Sequence, residues 1–188
     1  MRIMELAIEL ANTTYASRGE VQDALTTTAD LAAWLRRVGG SLTTPPTDAE
    51  LAHLSATDLD HARRLRKAVR DVAGAVSAGD AAPADGVTEL NSRLRAAPIW
   101  WELAGDGRLR REAHHGGSSI DAALSQTAAN AVDLLVDDKI RACGAPTCVL
   151  LFVQDHPRRE WCSDTCGNRV RAARHYDRVR LRRATPAK

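Results

Sequence analysis

The apolar positions of this chain recur mainly at helical intervals. Between Met1 and Ala11, Ile3, Ala7, Leu10 and Ala11 share one face. From Gln22 to Val38, Leu31, Trp34, Leu35 and Val38 fall at i, i+3, i+4 and i+7, and Gly39-Gly40 supplies a stop. Ser41 to Thr47, with Pro45-Pro46, reads as a loop. Thr57 or Asp58 can cap a further helix whose Leu65, Val69, Val72, Ala73 and Val76 form a single apolar stripe. Ser77 to Asp85, rich in Gly, Ala and Pro, breaks the pattern, and Val87 to Ala96 resumes it.

The period then shortens. Ile99 to Leu103 and Arg108 to His114 flank Gly105-Asp106-Gly107, which predicts a β-hairpin on a short glycine turn. Beyond Gly116-Gly117, Ser118 or Ser119 can cap a long helix. Its Ile120, Leu124, Thr127, Ala131, Leu134 and Leu135 keep helical spacing down to Lys139 and Arg141, and so lead directly into Cys143. Val149 to Val153 reads as a strand, Asp155-His156-Pro157 as a turn, and Arg158 to Trp161 as the returning strand.

Charge divides the chain in two. Residues 1–138 carry 14 Lys/Arg against 20 Asp/Glu, whereas residues 139–188 carry 12 against 4. An acidic body joined to a basic, polyanion-seeking tail is the expected arrangement. No run approaches the ~20 apolar residues of a membrane span. Glu5 and Glu9 interrupt the first apolar run, and no basic leader precedes it. A cytoplasmic location with no membrane partner is therefore expected.

All four cysteines lie within residues 143–166. In a reducing cytosol that clustering favours metal ligation over disulfides. Cys143 and Cys148 are separated by four residues, Cys162 and Cys166 by three, and the two pairs by thirteen. A structural zinc takes four ligands in a tetrahedron, commonly as two close pairs from distant turns. The first pair sits in a Gly/Pro turn, and the second shares a helix face if Cys162 begins a helix. An iron–sulfur cluster also takes four thiolates, but these spacings do not resemble a ferredoxin pattern. One structural Zn2+ per chain is expected on Cys143, Cys148, Cys162 and Cys166. Four thiolates would leave no open position for catalytic water. The expected fold is mainly α: a helical domain with a small β-hairpin over residues 1–138, then a treble-clef-like zinc finger over 139–188.

Downstream of Cys166 the chain is loaded with arginine. At ~100° per residue, Cys162, Cys166, Val170, Ala173 and Leu181 fall on one side of a helix. Arg171, Arg174, Arg178 and Arg182 line an adjacent stripe, with His175 at its edge. Arginine suits phosphate by its bidentate fork and guanine edges in the major groove, so double-stranded DNA is the expected partner. Docking against the acidic body or another protein, and RNA, are competing readings. Asn168 and Arg169, in the first turns, either reach bases or brace the finger.

Cys166-Gly167-Asn168-Arg169, preceded by Trp161-Cys162-Ser163 and the Cys143/Cys148 turn, resembles the CGNR zinc finger of bacterial proteins. Asn12-Thr13, Asp30-Leu31 to Trp34-Leu35, Leu90-Asn91 and the long helix before the finger resemble the ABATE domain that precedes it. The similarity covers nearly the whole chain. It implies a stress-related transcription regulator with a ligand-sensing or interaction body. The family commonly carries an arginine-containing stretch after its first helix, where Thr14 to Arg18 here offers only Arg18.

Within the body, Asn12, Thr13 and Trp34 are candidates to line a pocket for a small-molecule effector, although Trp at helical spacing is more often a core residue. Trp100 and Trp101 alternate on a strand, as do His114 and His115, which makes the histidines a poor chelating pair. No phosphate loop, nucleophile elbow or paired-carboxylate signature appears, so no enzyme is expected. A single short finger supplies little affinity alone, which favours a homodimer.

Overall fold

The structure is a computed structural model that describes residues 5–113 and 118–184. Its elements run α1 (Leu6–Ala11), β1 (Thr14–Ser17), β2 (Glu20–Asp23), α2 (Thr28–Val38), a 3-10 turn (Gly39–Ser41), α3 (Asp48–Ala52), α4 (Ala56–Ala78) and α5 (Ala84–Ala96). There follow β3 (Ile99–Leu103), β4 (Leu109–Ala113), α6 (Ser119–Val136), β5 (Ile140–Ala142), β6 (Leu151–Val153) and α7 (Asp164–Ala184). The mainly helical class expected from the periodicity is observed, with three two-stranded antiparallel pairs attached.

α6 lies at the centre. Every side chain from Ala122 to Ala128 is buried, as befits a helix that is apolar nearly all round. α1, α4 and α5 pack around it, and Leu10, Leu31, Trp34, Leu35, Leu65, Val69 and Leu124 fill one continuous core. The buried polar side chains of α6 are hydrogen-bonded, some within the helix and some to distant backbone. Thr127 Oγ1 donates to the Ala123 carbonyl (2.8 Å). Gln126 Nε2 donates to the Ser41 carbonyl (2.9 Å), while its Oε1 accepts from Thr43 N (2.8 Å), so the Pro45-Pro46 loop is tied to the core.

Helix starts are set by side-chain caps. Thr27 with Asp30, Thr47 with Glu50, and Ser55 with Asp58 each form a reciprocal capping box. The cap of α4 is thus Ser55 rather than Thr57 or Asp58, because Asp58 is the partner three residues in. Ser118 caps α6. α4 also continues through Ala78 to a left-handed Gly79 (φ 80°), and α5 begins at Ala84 behind Pro83. The breaker is therefore shorter than its composition suggests.

Two segments depart from the expected pattern. Gln22 does not open a helix; it pairs with Tyr15 in a hairpin whose turn residues Arg18 (φ 53°) and Gly19 (φ 88°) are both left-handed. Two successive positive φ angles match a two-residue turn whose twist suits paired strands. α6 does not run to Arg141 either. It ends at Val136, Asp138 turns the chain (φ 53°), and β5 pairs Ile140 with Val153. β3 and β4 form the expected hairpin, with Trp100 opposite Glu112. His114, His115, Gly116, Gly117 and Ile3 lie outside the described residues, as do the side chains of Trp101, Leu181 and Arg182.

Candidate metal centre and basic helix

The finger is built on the body's own core. Ile140 on β5 and Leu151 on β6 are both buried in the main cluster with Leu10 and Val69. Asn12, at the end of α1, donates from Nδ2 to the Leu151 carbonyl and accepts from Leu151 N, both at 2.9 Å. Arg70 on α4 spans the junction, donating to the carbonyls of Ala11 and Val149 at 3.0 Å each. Burial, and then the neighbouring Arg66, hold the Arg70 pKa below the ordinary value. Ser77 Oγ accepts from Ala142 N (3.3 Å).

Between β5 and β6 the chain makes the first cysteine turn. Cys143 N donates to the Leu150 carbonyl (2.9 Å), Cys148 N to Ala145 (3.1 Å), and Thr147 takes a left-handed backbone (φ 62°). The hairpin thus encloses this turn instead of following it. Arg158 to Trp161 form no strand, and β6 pairs with β5 instead. Side chains organise that stretch: Gln154 Nε2 donates to the Arg159 carbonyl (2.9 Å). Arg159 donates to the carbonyls of Trp161 (3.2 Å) and Cys162 (3.0 Å) and to Asp155 (2.9 Å). Its guanidinium also lies over Phe152, 5.1 Å from the ring centre. Neither Gln154 nor Arg159 stood out in the sequence, where only their proximity to Trp161-Cys162 hinted at a role.

Cys162 precedes α7 rather than beginning it, and Ser163 Oγ accepts from Cys166 N (3.3 Å) at the helix start. The four Sγ atoms all lie within 4.8 Å of one another. Cys148 and Cys162 sulfurs are 3.8 Å apart, and Cys162 and Cys166 sulfurs 3.6 Å. Zn–S bonds of ~2.3 Å in a tetrahedron imply sulfur–sulfur edges of about 3.8 Å. The donor set fits one structural zinc.

The electrostatics agree. Burial pushes the Cys148 and Cys162 thiols up, and neighbouring sulfurs add to the effect. Burial opposes ionisation of Cys166 too, but hydrogen bonds with Cys162 and Ser163 outweigh it and bring that thiol down. Four sulfurs this close cannot all ionise without a cation among them. Two N–H donors already face the sulfurs: Cys162 N reaches Cys143 Sγ, and Arg169 Nη2 reaches Cys166 Sγ, each at 3.4 Å. A small apolar cluster of Ala145, Phe152, Val170 and Trp161 closes around the site.

α7 leaves this cluster quickly. Cys166, Gly167 and Val170 are buried, but Arg171 to Tyr176 are all exposed. Ala173, expected on the packed side, therefore does not touch the cysteine turn; only the first turns of the helix are held. Arg171, Arg174 and Arg178 are exposed along one stripe, and none pairs with a carboxylate among the described residues.

The candidate pocket residues each have a structural setting. Thr13 is buried, donates to the Leu10 carbonyl and accepts from Arg66 (2.9 Å). Asn12 spends its amide on Leu151. Trp34 is 1 % exposed in the core, and its indole N–H has no hydrogen-bond partner among the described residues. No helix among the described residues is long and apolar enough to cross a membrane.

Comparison with known proteins divides the chain at the turn before β5. No curated protein matches it. Residues 4–138 match the ABATE family, described as "Putative stress-induced transcription regulator", and residues 139–179 match the CGNR zinc finger. Both are regulator or zinc-finger families. With the first match alone covering well over half of its length, the chain belongs to the ABATE family, here carrying a CGNR zinc finger.

Proposed function

We propose that the protein is a zinc-dependent, DNA-binding transcription regulator in which Cys143, Cys148, Cys162 and Cys166 hold a structural ion. The observation that carries this reading is the exposed stripe of Arg171, Arg174 and Arg178 on a helix that leaves the body. Cations held in solvent on a stiff rod favour a polyanion, and an α-helix fits the major groove. Arg182 extends the same stripe by helical spacing. The body, residues 1–138, would sense a small molecule or mediate homodimerisation, and its role is regulatory rather than catalytic.

The test is titration of zinc-loaded protein against duplex DNA at several salt concentrations. Each neutralised phosphate contributes a slope of about −0.9 in log K against log salt. Three contacts predict a slope of about −3. Binding that is absent or indifferent to salt overturns the reading.

A second reading makes the finger a protein–protein interaction module. In its favour, the finger is already seated on the body through Asn12–Leu151 and Arg70–Val149. Those contacts use β6 and the segment before it, and leave the arginine stripe facing solvent.

A further inference from the structure

The arginines of α7 are not equivalent. Among the described arginine side chains of α7, Arg171 alone combines a side-chain hydrogen bond with an aromatic contact. Its Nη2 donates to Asn168 Oδ1 at 2.6 Å, and its guanidinium carbon lies 5.8 Å from the Trp161 ring centre. Gly167 makes that arrangement possible. A Cβ there would stand 3.1 Å from Trp161 Cε3 and 3.2 Å from Arg171 Nη1, tighter than ordinary van der Waals contact. The missing side chain lets the indole and the guanidinium meet over the helix backbone. Arg178, by contrast, donates among the described residues to the carbonyl of Arg174 (3.3 Å). Arg169 is turned to the Cys166 sulfur.

We propose that Arg171 is a preorganised anchor for one phosphate oxyanion, built by Gly167, Asn168 and Trp161; as a DNA contact, it rests on the reading of α7 given above. A guanidinium fixed at one N–H and against one ring retains most of its donors for a ligand. It also loses less rotamer freedom on binding than a free arginine, which is where preorganisation adds affinity. Its planar fork matches two oxygens of one phosphate. Arg174 and Arg178, one and two turns on, supply charge to a repeating anion without that fixed geometry. Asn168 is accordingly a positioning residue, which acts through Arg171. The anchor is also joined to the metal centre, since Gly167 and Asn168 directly follow Cys166.

The experiment uses the zinc-loaded full chain with three readouts. The first is the side-chain Nε relaxation of the arginines by NMR, the second is perturbation by inorganic pyrophosphate, and the third is affinity for a short DNA duplex. Arg171 is expected to be more rigid than Arg174 and Arg178, and to become mobile in Asn168→Ala. Pyrophosphate is expected to perturb Arg171 first. For duplex DNA, Arg171→Ala should weaken binding about 10-fold or more and reduce the salt slope by about one. Asn168→Ala should weaken it about 3-fold with the slope unchanged, because the charge remains. The Asn168→Ala/Arg171→Ala double variant should be no weaker than Arg171→Ala alone, and Arg171→Lys should keep the slope but not the affinity.

Equal losses for Arg171→Ala, Arg174→Ala and Arg178→Ala would overturn the anchor while leaving the DNA reading intact. Pyrophosphate perturbation at Arg171 with no duplex binding would overturn the DNA reading and support the anchor. An Arg171 as mobile as its neighbours, or unmoved by pyrophosphate and duplex alike, would overturn the anchor.

Discussion

Asn12 and Leu151, 139 residues apart in sequence, are joined by two hydrogen bonds of 2.9 Å in which a side-chain amide takes the place of a paired strand. The carboxamide offers one donor and one acceptor at a spacing that matches the N–H and C=O of a single residue. Leu151 is buried, so its backbone groups have no ready access to water as a substitute.

Replacing Asn12 by Ala should strand both groups. Each unsatisfied buried partner costs about 1–3 kcal/mol, and partial exposure of Asn12 puts the sum near the lower end, about 2 kcal/mol. Urea unfolding of Asn12→Ala is expected to lower the midpoint by that energy divided by the m-value, with the m-value itself unchanged. Asn12→Asp keeps the acceptor for Leu151 N but sets an anionic oxygen against the Leu151 carbonyl, so it should not rescue the loss near neutral pH. A midpoint within error of the parent for Asn12→Ala would refute it.

Metal removal should act unevenly. Purified, reduced protein is expected to contain about one zinc per chain, and Cys162→Ser to abolish it. Because Ile140 and Leu151 belong to the body's core, chelation should leave the Leu151 amide protected from hydrogen exchange. The amides of Cys148, Cys162 and Cys166 should lose protection. Uniform loss through Leu124 and Val69 would show that the ion supports the whole molecule.

Acid should loosen the first hairpin before the core. The Arg66 guanidinium bound to Asp23 holds that carboxyl below its ordinary 3.8. Hydrogen bonds from Thr26 and Thr27 hold Asp30 down at about 2. Carboxyls lowered in the folded state contribute stability that is complete above their unfolded values and drains as pH falls through the folded ones. Stability should therefore decline from about pH 4 toward pH 2. Asp23→Asn and Asp30→Asn should each flatten that decline. Asp23→Ala at neutral pH should cost on the order of 2 kcal/mol: Arg66 would be left buried and unpaired, but Asp23 itself is partly solvated. An unchanged acid profile in Asp23→Asn would count against this account.

Gly86 presents two opposed effects. A Cβ there would lie 2.8 Å from Val72 Cγ2, across the α4–α5 contact. Alanine gains up to ~1 kcal/mol of helix propensity over glycine, whereas overpacking costs about 1–3 kcal/mol. Gly86→Ala is expected to be destabilising on balance in thermal unfolding. Val72→Ala should then cost less in the Gly86→Ala background than in the parent, because it removes the clashing methyl. Additive losses would show that the two positions do not press on each other.

Local signals carried far along this chain, and long-range pairing did not. The helical stripes of Leu31–Val38 and Leu65–Val76, the β3–β4 turn and the four clustered cysteines are each contained in a short window of sequence. The errors arose where distant partners decide. Gln22 joined a strand because Arg18-Gly19 turn the chain and Arg66 holds Asp23. Arg158 to Trp161 stayed irregular, and β6 found β5 across the cysteine turn instead. Ser55 had the capping pattern Ser-x-x-Asp in plain view, yet Thr57 and Asp58 were closer to the apolar stripe. The joining roles of Asn12 and Arg70 had no local signal at all, since both depend on backbone carbonyls or amides far away in sequence.

The short grip on α7 has a mechanical consequence. From Val170, the last of its described side chains to be buried, to Ala184 the helix extends about 21 Å at ~1.5 Å per residue. Such a rod is a lever with its fulcrum at the cysteine cluster. A tilt of about 10° there would carry the far end roughly 4 Å, about a third of the ~12 Å width of the DNA major groove. Phe152, in that cluster, directly follows Leu151, whose backbone Asn12 grips from the body. A sub-ångström adjustment at the end of α1 would thus be magnified at the tip into a displacement large enough to change what the helix can reach.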